Sequence, residues 1–132
     1  ALLALEVYQT TVQVIRLPTS IPKFIIDKEG LFDKIFNRVK VFSGASGDIN
    51  FKKNKDFSNK FLLSGEKESE IREFFTEDLI QFLDDNEIHH IESNGEALMI
   101  FKYLHIAKTD EVQNMLTFGL NLLKHMNLKS IS

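Results

Sequence analysis

The segment whose residue types could do chemistry is His89-His90-x-Glu92, where two imidazoles and a carboxylate fall within four residues. In a strand, alternate side chains share a face, so His90 and Glu92 would lie about 7 Å apart and could share a metal ion. A metal site needs a third or fourth ligand, and the sequence offers only His105, His125 or distant carboxylates. His90 and Glu92 are therefore the candidate metal ligands, but we favour an exposed polar strand face that binds no metal and no cofactor.

Other motifs with catalytic meaning are missing from the sequence. The loop Gly44-Ala45-Ser46-Gly47 lacks the Lys-Ser/Thr ending of a phosphate-binding loop, and neither a Gly-x-Ser-x-Gly elbow nor a His-Glu-x-x-His sequence occurs. The chain has no cysteine, which excludes thiol nucleophiles, disulfides and cysteine metal sites. We therefore predict a protein that is not an enzyme and has no catalytic residues.

The charge pattern bears on the choice of partner. The net charge is −3, from 16 basic and 19 acidic side chains, which gives no general attraction for nucleic acid. Residues 1–62 carry ten basic and six acidic groups, whereas residues 66–96 carry two basic and eleven acidic ones. Such an uneven surface can steer a protein partner, so we expect a protein partner or self-association and no nucleic acid.

Alternating apolar and polar residues predict the strands. Residues 7–17 are predicted to form a half-buried strand, and shorter strands are predicted at residues 24–26 and 61–63. Asn94-Gly95 separates two further alternating stretches and, because this pair tolerates positive φ, predicts a hairpin with a type I′ turn. A two-residue loop there pairs Ser93 with Glu96, Ile91 with Leu98 and His89 with Ile100.

The predicted hairpin presents two faces. One face carries Ile88, His90, Glu92, Ala97, Met99 and Phe101, and the other carries His89, Ile91, Leu98 and Ile100. Residues 97–101 are apolar on both faces, which is typical of a central strand, whereas residues 87–93 are more polar.

Apolar residues at helical spacing predict three amphipathic helices. The first lies between residues 29 and 40 with Asp27 as its candidate cap, and the second, with a stripe from Ile71 to Leu83, has a second start signal at Thr76. The third begins after Thr109 as N-cap and has a predicted buried stripe of Val112, Met115, Leu116, Gly119, Leu122, Leu123 and Met126. A mid-helix glycine costs about 1 kcal/mol relative to alanine, so we expect Gly119 to allow a close contact with the sheet.

These elements define the predicted fold class. A hairpin implies antiparallel pairing, and amphipathic helices need an apolar sheet face to cover. We predict an α+β fold with an antiparallel sheet of about four to six strands and about three helices packed mainly on one face. The length of 132 residues fits a single domain covering residues 1–132, with twelve phenylalanines available for its core.

Several short phrases also suggest a family. They are Gln9-Thr10-Thr11-Val12, Pro22-Lys23-Phe24, Asp48-Ile49-Asn50-Phe51, Phe57-Ser58-x-x-Phe61-x-Leu63-x-Gly65, Ile71-Arg72-x-Phe74-Phe75-Thr76 and Ile91-Glu92-x-Asn94-Gly95-x-x-Leu98. In these phrases the chain resembles uncharacterised bacterial proteins in which a soluble domain follows one or two N-terminal transmembrane segments. The resemblance implies a domain tethered to a membrane on its cytoplasmic side, and the Met-less start Ala1-Leu2-Leu3-Ala4-Leu5 looks like a cut from a longer polypeptide or a processed one.

Two functions follow as hypotheses. The first is a non-catalytic interaction or regulatory module of a bacterial membrane-associated protein, acting through a surface patch or a sheet edge. The alternative is a small apolar-ligand or lipid-binding domain, suggested by the many phenylalanines and by Met99, Met115 and Met126. It requires a pocket of several hundred Å³ between sheet and helices, whereas we favour a filled core.

Overall fold

The computed structural model describes residues 9–28, 49–87, 89–102, 106–126 and 128. Within these residues, one antiparallel sheet is built from β1 (Val12–Arg16), β2 (Phe24–Lys28), β3 (Phe61–Gly65), β4 (His90–Ser93) and β5 (Ala97–Phe101). The strand order is β1-β5-β4-β2-β3. The polar strand β4 therefore lies in the middle of the sheet, and β1 lies at one edge.

The helices in the described part of the chain are α1 (Lys55–Lys60), α2 (Glu68–Phe74), α3 (Glu77–Asp85) and α4 (Thr109–His125). The second start signal at Thr76 is confirmed, because its Oγ1 accepts a hydrogen bond from the Leu79 N–H at 3.2 Å and caps α3. The predicted cap of α4 is wrong: the N-cap is Lys108, whose N–H donates to Glu111 Oε1 at 3.3 Å. Helix α1 had no prediction, and the helix predicted within residues 29–40 lies outside the described residues.

The hairpin of β4 and β5 is confirmed, but its predicted register is wrong. Ser93 pairs with Leu98 rather than Glu96. The Asn94 side chain accepts hydrogen bonds from the N–H groups of Glu96 at 2.9 Å and Ala97 at 2.8 Å, so the loop becomes Gly95-Glu96. Gly95 then takes the first loop position with a φ of 96°. The pairing shifts by two residues, an even number, so each side chain keeps its predicted face.

The core lies on the sheet face that carries Ile26, Ile91 and Leu98. Side chains of α2, α3 and α4 join these residues in one buried cluster. The rings of Phe24 and Phe75 meet edge to face with their centroids 5.1 Å apart. The predicted α+β class, with helices mainly on one face of an antiparallel sheet, is confirmed. The single domain over residues 1–132 stays a prediction.

Helix α4 crosses the edge strand at Gly119. A Cβ at this position would come within 2.5 Å of the Gln13 Nε2 atom on β1. The expected close contact between Gly119 and the sheet is therefore confirmed, and it places α4 over the outermost strand.

Candidate functional site

His90 lies between two carboxylates on the sheet face opposite the core cluster. Its Nδ1 is hydrogen-bonded to Asp27 Oδ2, and its Nε2 lies 2.7 Å from Glu92 Oε1. The imidazole stacks on Phe101 with ring centroids 4.5 Å apart and is only 3% exposed. The predicted exposed polar face is therefore wrong for His90. Asp27 is brought beside it by the pairing of β2 with β4.

The protonation state of His90 follows from this geometry. Burial, the largest single effect, lowers the pKa of His90, but the hydrogen bonds and charges of Asp27 and Glu92 together outweigh it and raise the pKa. An imidazolium donates from both nitrogens and satisfies both carboxylates, whereas a neutral ring turns one lone pair toward a carboxylate. The cluster can therefore hold a proton inside the sheet.

The structure brings the two candidate metal ligands into direct contact. The Glu92 carboxylate occupies the ring nitrogen of His90 that a metal ion would need. Within the described ranges, no group of three or more His, Asp or Glu side chains is arranged to hold a metal ion. His125 stacks on Phe82 at 4.4 Å, and His105 lies outside the described residues. That the candidate ligands His90 and Glu92 bind no metal stays a prediction.

Sequence reasoning missed Asp27, which was expected to cap a helix. It lies instead in the strand Phe24–Lys28, where it is 5% exposed. A carboxylate next to three apolar residues was the available signal, because a buried charge needs a partner. The partner itself could not be read from the sequence, since His90 is 63 residues away.

His89 faces the other side of the sheet and borders a cavity of about 240 Å³. Its ring stacks on Phe118 of α4 with centroids 4.2 Å apart. The Nδ1 atom donates to the Glu87 carbonyl oxygen at 2.9 Å, which leaves the lone pair on Nε2. Burial lowers the pKa of His89, so the ring is neutral at pH 7.

At one edge of the sheet, β1 and α4 expose apolar side chains on its two faces, since Val14 pairs with Met99 on the face opposite the core whereas α4 packs on the core face against Gln13. The exposed fractions are 38% for Val12 and 66% for Val14 on β1. On α4, Val112, Leu116 and Leu120 recur at every fourth position and are 38%, 49% and 60% exposed. We call these five residues the β1–α4 surface.

The predicted burial of Val112 and Leu116 is therefore wrong. Each residue turns an α-helix by 100°, so around the circumference of α4 Gly119 lies between the buried residue Leu122 and the exposed apolar stripe. Because Gly119 rests on the edge strand, the stripe projects past that edge. Periodicity predicted the apolar arc correctly but could not show where the sheet ends beneath it.

No family model, curated protein or solved structure matches the chain. The resemblance to bacterial proteins with N-terminal transmembrane segments is therefore wrong. Its phrases consist largely of core phenylalanines and turn glycines, which packing and backbone geometry select in unrelated proteins.

The expected membrane placement is corrected as well. Among the helices of the described residues, none has the length and apolar composition needed to cross a bilayer. The longest, α4, has 17 residues and carries charges in its first and last turns. The predicted anchoring, with this domain on the cytoplasmic side, has no support in these helices.

Proposed function

We propose that the protein is a self-associating interaction module whose β1–α4 surface pairs with the same surface of a second copy. The observation that carries this proposal is the position of β1. It is an edge strand with an exposed apolar flank, and it lies beneath a helix whose exposed stripe is also apolar. Edge strands in monomers are usually protected by charges, proline or a covering element.

The backbone of β1 is suited to strand addition. Leu17 N–H donates to Glu96 O at 2.9 Å, and in an antiparallel ladder every second residue turns its backbone groups toward the neighbouring strand. Those of Val12, Val14 and Arg16 therefore face away from β5, toward an edge that no other described strand covers. A second β1 placed antiparallel about Val14 would form about six backbone hydrogen bonds.

The charges favour a copy of the same chain as the partner. In the proposed pairing the twofold axis is perpendicular to the sheet, so the two α4 helices run antiparallel on the same side. The first turn of α4 contains Asp110 and Glu111, and its last turn contains Lys124 and His125. The acidic end of each α4 thus approaches the basic end of α4 in the second copy. The two helix dipoles are antiparallel, which is also a favourable arrangement. The only charge on β1, Arg16, falls opposite Val12 rather than another arginine.

Light scattering and sedimentation equilibrium test this proposal directly. We expect a concentration-dependent dimer that becomes monomeric in Leu116→Lys and in Val14→Pro. The proline removes an N–H that faces away from β5 and so leaves the ladder within the sheet intact. Thr117→Lys is the matched control, because Thr117 is exposed on α4 but lies 100° from Leu116.

Two outcomes of these size measurements would overturn the proposal. One is a monomer at every concentration, and the other is a dimer that persists in both Leu116→Lys and Val14→Pro. Thermal melting followed by circular dichroism shows whether each variant is folded, so loss of the dimer is not confused with unfolding. A different protein bound to the β1 edge of a strictly monomeric chain would also contradict self-association.

The alternative of an apolar-ligand or lipid carrier receives less support. The phenylalanines that suggested it fill the core, where Phe24, Phe57 and Phe61 are at most 2% exposed. Phe57 stacks on Phe61 with centroids 4.9 Å apart. Such packing leaves these rings no free surface for a fatty chain, so we do not propose a carrier function.

A further inference from the structure

The turn between β4 and β5 contains Asn94-Gly95, the one place in the sequence where an asparagine precedes a glycine. In such a pair the asparagine side chain can close on the next backbone nitrogen, because glycine has no side chain to obstruct the approach. The Gly95 nitrogen bonds to Asn94 Cγ, the Cγ–Nδ2 bond breaks, and the amide proton of Gly95 leaves with Nδ2 as ammonia. Water then opens the ring at either carbonyl carbon and gives aspartate or isoaspartate.

The two reacting groups differ in their access to water. Asn94 is exposed, whereas Gly95 is buried and Ser93 is only 1% exposed. The Gly95 N–H donates to Ser93 Oγ at 3.0 Å. A backbone nitrogen becomes a nucleophile only after it loses its proton, and a buried, hydrogen-bonded N–H does not meet hydroxide from the solvent. The folded turn therefore holds the reaction back.

Two further hydrogen bonds tie this turn to the segment between β1 and β2. The Ser93 hydroxyl donates to the Pro22 carbonyl oxygen at 2.8 Å, and the Ile21 N–H donates to the Gly95 carbonyl oxygen at 2.8 Å. Ser93 Oγ thus uses its proton and a lone pair at the same time, which fixes its position under the Gly95 N–H. Exposing that N–H requires the turn to detach from this segment.

From these contacts we infer that Asn94 is a site of spontaneous deamidation that reacts only when the hairpin turn opens. Ser93 is the residue that keeps the turn closed. The opening that exposes the Gly95 N–H to hydrogen exchange is also the opening that permits deamidation, so the two processes share one barrier. Isoaspartate inserts a carbon into the backbone of the turn, so each reaction that yields it weakens the hairpin. The site shares no residue with the β1–α4 surface.

Peptide mass spectrometry and NMR hydrogen exchange during incubation at neutral pH test the inference. We expect Asn94 to deamidate about a hundredfold more slowly in the folded chain than in the chain unfolded in urea. Ser93→Ala leaves the Gly95 N–H without its acceptor, so it should speed both deamidation and exchange of that N–H about tenfold. Ser69→Ala, exposed on α2, is the matched control and should leave both rates unchanged.

The comparison of the folded with the unfolded natural chain needs no variant, so the test stays decisive if Ser93→Ala does not fold. Circular dichroism shows whether that variant is folded. Equal deamidation rates in the folded and unfolded chains would overturn the inference. So would an unchanged deamidation rate in folded Ser93→Ala, or an Asn94 that is not deamidated in either state.

Discussion

The imidazole of His90 donates from Nδ1 to the carboxylate of Asp27, across a sequence separation of 63 residues and inside the sheet. Both residues are buried: His90 is 3% exposed and Asp27 is 5% exposed. Glu92 provides the second carboxylate, at the Nε2 atom of His90. A buried charge with two partners stabilises the fold only while both partners remain. The first predictions follow from this dependence.

Asp27→Asn should destabilise the protein by about 2–3 kcal/mol, because it leaves a buried imidazolium with one charged partner. This expected loss is smaller than the ~3–5 kcal/mol typical of broken buried ion pairs. The imidazole can lose its proton, so no unpaired charge has to stay buried. Glu92→Gln is the matched control and should cost about 1 kcal/mol, because the Glu92 side chain is 20% exposed and water can replace it. Urea unfolding measures both values. Equal losses for the two variants would contradict the dominant role of Asp27.

The free energy of unfolding should fall as the pH rises above 6.5. The pKa of His90 is raised in the folded protein above the ordinary value of 6.5, so the folded state binds the proton more tightly than the unfolded chain. This contribution is fully present below pH 6.5, where both states are protonated, and is lost as the pH rises through the folded pKa. In Asp27→Asn, the free energy of unfolding should decrease less as the pH rises.

The two adjacent histidines should titrate in opposite directions from the ordinary value. NMR titration of the protons on the imidazole Cε1 atoms should give a pKa above 6.5 for His90 and a pKa below 6.5 for His89. Burial lowers the pKa of His89, so its protonation destabilises the fold on the acid side. A titration of His90 below 6.5 would show that burial outweighs the two carboxylates.

How far the sequence predicts this fold can be judged at Asn94. The Asn-Gly pair predicted the hairpin and both of its faces, because turn preference and alternation are local properties. The register was missed because the Asn94 side chain accepts the Glu96 N–H, which the predicted turn assigns to the Ser93 carbonyl, and also the Ala97 N–H. Likewise, the pairing of Asp27 with His90 depends on the order of strands, which no local pattern encodes.

Asn94→Ala should therefore destabilise the hairpin by about 1–2 kcal/mol. The substitution removes one oxygen that accepts two backbone hydrogen bonds at the turn. Chemical denaturation measures the loss, and Asn94→Asp is the matched variant that keeps the acceptor. If Asn94→Ala is as stable as the natural chain, the side-chain bonds do not set the turn.

Gly119→Ala should change the stability by less than the gain of about 1 kcal/mol that alanine brings to an unobstructed helix. The new methyl group would come within 2.5 Å of the far end of the Gln13 side chain, which must swing aside, and that movement offsets part of the gain. Gln13→Ala alone should be nearly neutral, because its buried Oε1 has no hydrogen-bond partner in the described structure. The double variant should then show the full gain in helix propensity. A double-mutant cycle measures this coupling, and additive effects would mean that α4 does not rest on β1 at this point.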